Sequence, residues 1–130
     1  MTEKIPERGR NLKIENKLVF RLAAVLGLLG MIAGSAGAHG IKFEPGKKIL
    51  FDTGLLYLFI HLPVLMVLGT LGISRQAYLM LGGVVLFSVP LVAKGIGIFD
   101  GGIIVPTGGM LMIASWVWLI FAGNPGKKED

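Results

Sequence analysis

Four long apolar runs alternate with short polar stretches along this chain. The runs are residues 18–38, 51–73, 77–93 and 103–122. Each falls within the roughly 17–25 residues that a helix needs to cross a bilayer's hydrocarbon core. The pattern predicts an all-α integral membrane protein built as a four-transmembrane-helix bundle. Residues 1–17 and 123–130 are polar and read as tails on either side of a membrane domain at 18–122.

The second run carries the most unusual residues. Thr53, Tyr57 and His61 fall at i, i+4 and i+8 and so share one helix face, with Asp52 at its mouth. Pro63 follows the histidine and removes one backbone donor, which predicts a kink there. Ionisable groups inside a membrane usually face protein or water rather than lipid. The other three helices are therefore expected to shield this one.

Small residues mark the rest of the membrane domain. The first run holds Gly27, Gly30, Gly34 and Gly37, and Gly30 with Gly34 forms a GxxxG pair. Such residues let helix backbones approach closely in lipid, so the first helix is expected to be buried against its neighbours. This run also resembles a signal peptide ending Ala36-Gly37-Ala38, but it exceeds the roughly 7–15 apolar residues usual for one and is read as a retained span. The third run carries Gly82-Gly83, Ser88 near mid-depth and Pro90. The fourth opens IVPTGG, where Pro106 suits a first helical turn and Gly108 and Gly109 suit close packing. Trp116 and Trp118 lie toward its far end, where one suits the interfacial aromatic belt. Residues 39–50, 74–76 and 94–102 read as loops.

Charge adds orientation. Nine Lys and Arg fall on the side of the tails and the 74–76 loop, and four on the other. The positive-inside rule then places both termini in the cytoplasm. His39, Asp52, Lys94, Asp100 and Thr107 would gather at the outer mouth, with His61 about 15 Å below. The net charge of +5 is read as topogenic, with attraction to anionic headgroups, not as a sign of nucleic-acid binding. Hydrophobic residues are 53% of the chain and charged ones 16%, against roughly 25% charged in soluble domains. There is no cysteine, which excludes disulfides and thiolate-held metals.

The chain resembles the domain-of-unknown-function 423 family in four stretches taken in order. GSAGAHG at 34–40 resembles that family's glycine-alanine-histidine ending of the first helix. FDTGLLYLFIH at 51–61 resembles its threonine-glycine, tyrosine, histidine pattern. LFS at 86–88 resembles its third-helix motif, and VPTGG at 105–109 with Trp116 resembles its proline and double-glycine pattern with a tryptophan. The chain departs from the family at Leu62-Pro63 and at Val89-Pro90. The resemblance implies four helices and a bacterial inner-membrane home, and it brings no established activity.

The chemistry is sparse. Asp52 and His61 are about 13 Å apart in rise and cannot touch. No serine sits on a nucleophile turn, no carboxylate cluster suits a metal, and the glycine pairs lack a phosphate-loop lysine. The expectation is no enzyme, no metal and no cofactor. The leading reading is an accessory or assembly subunit, with the lipid bilayer and other membrane subunits, or its own copies, as partners. One alternative is a small proton or solute pathway down Asp52, Thr53, Tyr57 and His61. Another is haem held by His61 from two copies. In the plainest reading, His61 is neutral and bonded to Tyr57, Ser88 or a carbonyl that Pro63 frees.

Overall fold

A computed structural model of the protein describes residues 13–122. Four helices follow one another: α1 (Lys17–His39), α2 (Lys48–Leu71), α3 (Ser74–Gly95) and α4 (Ile104–Phe121). All four are long and apolar enough to cross a membrane. No strand occurs among the described residues. The tail readings for residues 1–12 and 123–130 lie outside the described residues.

Two boundaries differ from the apolar pattern. Ser74-Arg75-Gln76, expected as a loop, is the first turn of α3, and α2 starts at Lys48, three residues before its apolar run. Hydropathy locates the hydrocarbon slab, whereas a helix begins where its hydrogen-bond ladder begins. Gly72 decides the α2–α3 turn. Its φ of 73° is left-handed, a conformation that suits glycine, and its N–H returns to the carbonyls of Gly69 and Leu68. A single residue, Ile73, then separates it from α3.

The helices pack antiparallel in chain order, with α2 and α3 at the centre. The α4 backbone approaches α3 and neither α1 nor α2. The arrangement is therefore open along the α1 and α4 sides, rather than closed like a square bundle. It also corrects the expectation that α1 is buried. On α1 only Val19, Ala23 and Gly30 are buried, and its outer face from Leu18 to Ile32 is largely exposed. α1 is apolar all round, and the chain itself leaves most of that surface uncovered.

The seams explain which glycines matter. Gly27, Gly30, Gly34 and Gly37 line one edge of α1 and receive Leu62, Leu58, Leu55 and Phe51 of α2 in turn. A Cβ on Gly30 would stand 2.9 Å from Leu58 Cδ2, and one on Gly37 would collide with the Phe51 ring. Gly27 and Gly34 have ordinary room, at 3.4 and 3.6 Å. The GxxxG pair is thus used inside the chain. The tightest seam joins α3 and α4. A Cβ on Gly83 would lie 2.7 Å from the Met112 nitrogen, and one on Gly108 would overlap the Phe87 nitrogen. Gly109, the neighbour, keeps 3.6 Å from the Phe87 ring. Gly54, the glycine of the threonine-glycine pattern, and Gly95, which no motif marked, admit the α2–α3 approach. Cβ atoms there would meet the Ser88 carbonyl at 3.1 Å and the Phe51 nitrogen at 2.7 Å.

One polar knot closes the end near the N-terminus. Asn16 caps α1 by accepting from the Val19 N–H at 3.1 Å, while its amide donates to Ser74 Oγ at 2.9 Å. Its own N–H donates to the Gly69 carbonyl at 2.8 Å. One side chain therefore joins the start of α1 to the α2–α3 turn. Asn16→Ala is expected to lower stability by about 1–2 kcal/mol, the scale of a lost helix cap. Asn16→Asp keeps the cap but loses the donor, and should cost less. Thermal unfolding of both variants in the same detergent checks the order.

Candidate functional site

The polar stripe on α2 turns back on its own helix, one turn at a time. Lys48 donates to Asp52 at 2.6 Å, and the Thr53 hydroxyl donates to the Ile49 carbonyl at 2.6 Å. His61 Nδ1 lies 2.7 Å from the Tyr57 carbonyl. Each partner sits four residues earlier, as helical geometry allows. No side chain in the stripe hands a hydrogen bond to the next one along it.

Only His61 reaches out of the helix. Trp116 Nε1 donates to His61 Nε2 at 3.1 Å. An indole nitrogen can only donate, so Nε2 must be the acceptor and Nδ1 the ring nitrogen that carries hydrogen. Tyr57 was among the partners expected from the sequence, and the Trp116 indole was not. The carbonyl used is Tyr57's, not Phe59's, whose usual donor Pro63 lacks. Ser88 makes no hydrogen bond to it, and its Oγ is buried without a partner.

Aromatic rings complete the bridge between α2, α3 and α4. Tyr57 stacks near-parallel over His61 at 6.2 Å, and Phe87 of α3 tilts against Tyr57 at 4.8 Å. Trp116 meets the imidazole edge-on at 6.1 Å. Tyr57 is 40% and Trp116 41% exposed, while His61 is 6% exposed. The two large rings thus cover the histidine from the lipid side. The sequence reading gave one of Trp116 and Trp118 to the interface without choosing between them, and it did not foresee the inward role of Trp116. A depth comparison could have found it. His61 lies thirteen residues into α2 and Trp116 twelve into α4, and alternate spans run in the same direction.

The expected outer cluster is not joined by bonds. His39 and Thr107 are exposed, and the Thr107 hydroxyl donates to its own helix at the Ile103 carbonyl. Asp52 is paired with Lys48, and no ion pair or side-chain hydrogen bond links His39, Asp52, Lys94, Asp100 and Thr107 among the described residues. The one shifted group at this end is Glu44. A hydrogen bond and the charge of Lys47, 2.7 Å away, hold its carboxyl below the usual value. A depressed carboxylate contributes stability above its ordinary pKa and loses it as pH falls through the depressed value. With Glu44 fully exposed, that contribution is small. No group of three His, Asp or Glu side chains able to hold a metal occurs among the described residues.

The family described as "Protein of unknown function (DUF423)" matches residues 33–109. The chain belongs to the DUF423 family. A relative, UPF0382 membrane protein YwdK of Bacillus subtilis (strain 168), is 32% identical over 117 residues. The match covers 82% of this chain and 95% of that relative. No solved structure matches the chain. Four membrane-length helices and a membrane-protein relative together make this DUF423 member a multi-pass membrane protein. The matched stretch contains His61 and Phe87, whereas Trp116 lies beyond it. Nothing in the family description or the relative's name points to an enzymatic activity.

Proposed function

We propose that this protein is a packing or assembly subunit that lies beside larger proteins in a bacterial inner membrane, both termini in the cytoplasm. The observation that carries this reading is the division of its surfaces. Asp52, Thr53, His61 and Thr70 of α2 hydrogen-bond within the chain, whereas α1 and α4 do not pack on each other and keep long exposed apolar faces. In lipid, such faces gain from close contact with another helix rather than from leaving water. The orientation rests on the nine-to-four asymmetry of Lys and Arg. The polar-pathway alternative lacks a relay, since Asp52, Thr53 and His61 each bond back along their own helix. Haem held by two His61 side chains would require Nε2 to leave Trp116.

The test is extraction from native membranes in mild detergent, then size separation, mass spectrometry and an absorbance spectrum. The expected result is a larger membrane protein at fixed ratio. Met31→Trp, on the exposed face of α1, should release that partner while thermal unfolding stays unchanged. A colourless chain without partners overturns the proposal. A Soret band travelling with the chain alone overturns it in favour of haem.

A further inference from the structure

A cavity of about 220 Å³ lies between α1, α2 and α3. Its walls are apolar except at one point. Leu29, Gly30, Ala33, Leu58 and Val89 line it together with Ser88. Ser88 is 1% exposed, and its Oγ has no hydrogen-bond partner. A hydroxyl left buried and unbonded is destabilising, because it has given up water and gained no partner. Helical serines have a nearby remedy in the carbonyl four residues back, and Thr53, Thr70 and Thr107 all take it here. Ser88 does not.

The cavity opens sideways. Leu29 and Val89, on facing helices, are each more than half exposed, so the gap between them leads into the bilayer. On the α1 wall, Gly30 lets Leu58 and Phe59 of α2 come close, so α2 forms the floor of the cavity there. The volume exceeds the roughly 150 Å³ of an apolar cavity that takes up benzene. Ser88 also lies deep. It is seven residues from the end of α3 at Gly95, hence about 10 Å inside that end at 1.5 Å per residue. Phospholipid esters lie nearer the membrane surface, so the occupant's polar atom belongs to a molecule that dissolves within the hydrocarbon.

We propose that this cavity binds a lipid-soluble molecule with a ring-sized apolar body and one carbonyl oxygen, which accepts a hydrogen bond from Ser88. Its apolar remainder leaves between Leu29 and Val89. The cavity supplies shape, and the hydroxyl supplies selection for an acceptor over plain hydrocarbon.

The experiment uses the full chain in detergent micelles, with binding read by native mass spectrometry. The probes are para-decylacetophenone and decylbenzene, its counterpart without oxygen. The ketone is expected to bind one per chain and about five- to tenfold more tightly than decylbenzene, the scale of one net hydrogen bond. Ser88→Ala should abolish that preference, leave decylbenzene unchanged and melt no lower than the natural protein. Ala33→Leu, which fills the cavity, should remove both. Equal binding of the two probes to the natural protein overturns the proposal, whatever the variants do. A preference that survives Ser88→Ala, or binding that survives Ala33→Leu, overturns it as well.

Discussion

Gly108→Ala lowers the stability of the folded protein by about 3 kcal/mol, the upper end of what overpacking usually costs. The added methyl would overlap the Phe87 nitrogen and approach the Leu86 carbonyl carbon at 2.6 Å and the Gly83 oxygen at 2.8 Å. All three are backbone atoms of α3, so no rotamer change relieves the clash. The helices must move apart, and no other helix backbone lies close to α4, which touches α2 only through Trp116 and His61. Van der Waals contact carries most of helix association in lipid, so a wider seam loses much of what holds α4. Two neighbours supply controls. Gly109→Ala meets only the Phe87 ring at 3.6 Å, and Gly82→Ala meets nothing within 4 Å. Both should unfold within about 0.5 kcal/mol of the natural protein, as surface changes usually do. Reversible unfolding in mixed micelles measures all three. Equal effects at positions 108 and 109 would refute the seam described here.

His61→Ala costs about 3 kcal/mol, comparable to other large-to-small changes at buried sites. It empties the space under Tyr57 and leaves the Trp116 N–H without its acceptor. Trp116→Phe removes the donor and keeps a ring, so it costs less, about 1 kcal/mol, within the range of interhelical hydrogen bonds in membranes. The double variant should be less destabilised than the two single changes added together. The shortfall measures the His61–Trp116 coupling and is expected near 0.6–1.7 kcal/mol. Strict additivity would mean that the two side chains do not hold α2 and α4 together. Trp116 fluorescence gives a second check, because His61→Ala changes the surroundings of its indole, while Thr53→Val should not.

Much of the architecture was legible in the chain. Runs of about 20 apolar residues specify membrane helices because unpaired backbone groups are costly in hydrocarbon. The family could be read from GSAGAHG, FDTGLLYLFIH, LFS and VPTGG in order, and the match over residues 33–109 agrees. The helical spacing of Thr53, Tyr57 and His61 correctly put them on one face of α2. The spacing could not say whether such a face forms a relay. Hydroxyls and rings on a helix can bond either forward to a neighbouring side chain or back to a carbonyl, and here they turn back.

The order of polar and apolar residues by itself determined four membrane-length helices and a single histidine set deep in the second; it expected the other three to surround α2, whereas the α4 backbone packs on α3. It could not say which glycine is indispensable, because Gly108 and Gly109 are equivalent until α3 is laid against one of them. Nor could it pair His61 with Trp116, 55 positions apart in the chain, or leave Ser88 without a partner beside a cavity. Those facts arise from the rotation of each helix about its axis and from where neighbours end. Both are set by contacts between residues far apart in sequence, which hydropathy does not record.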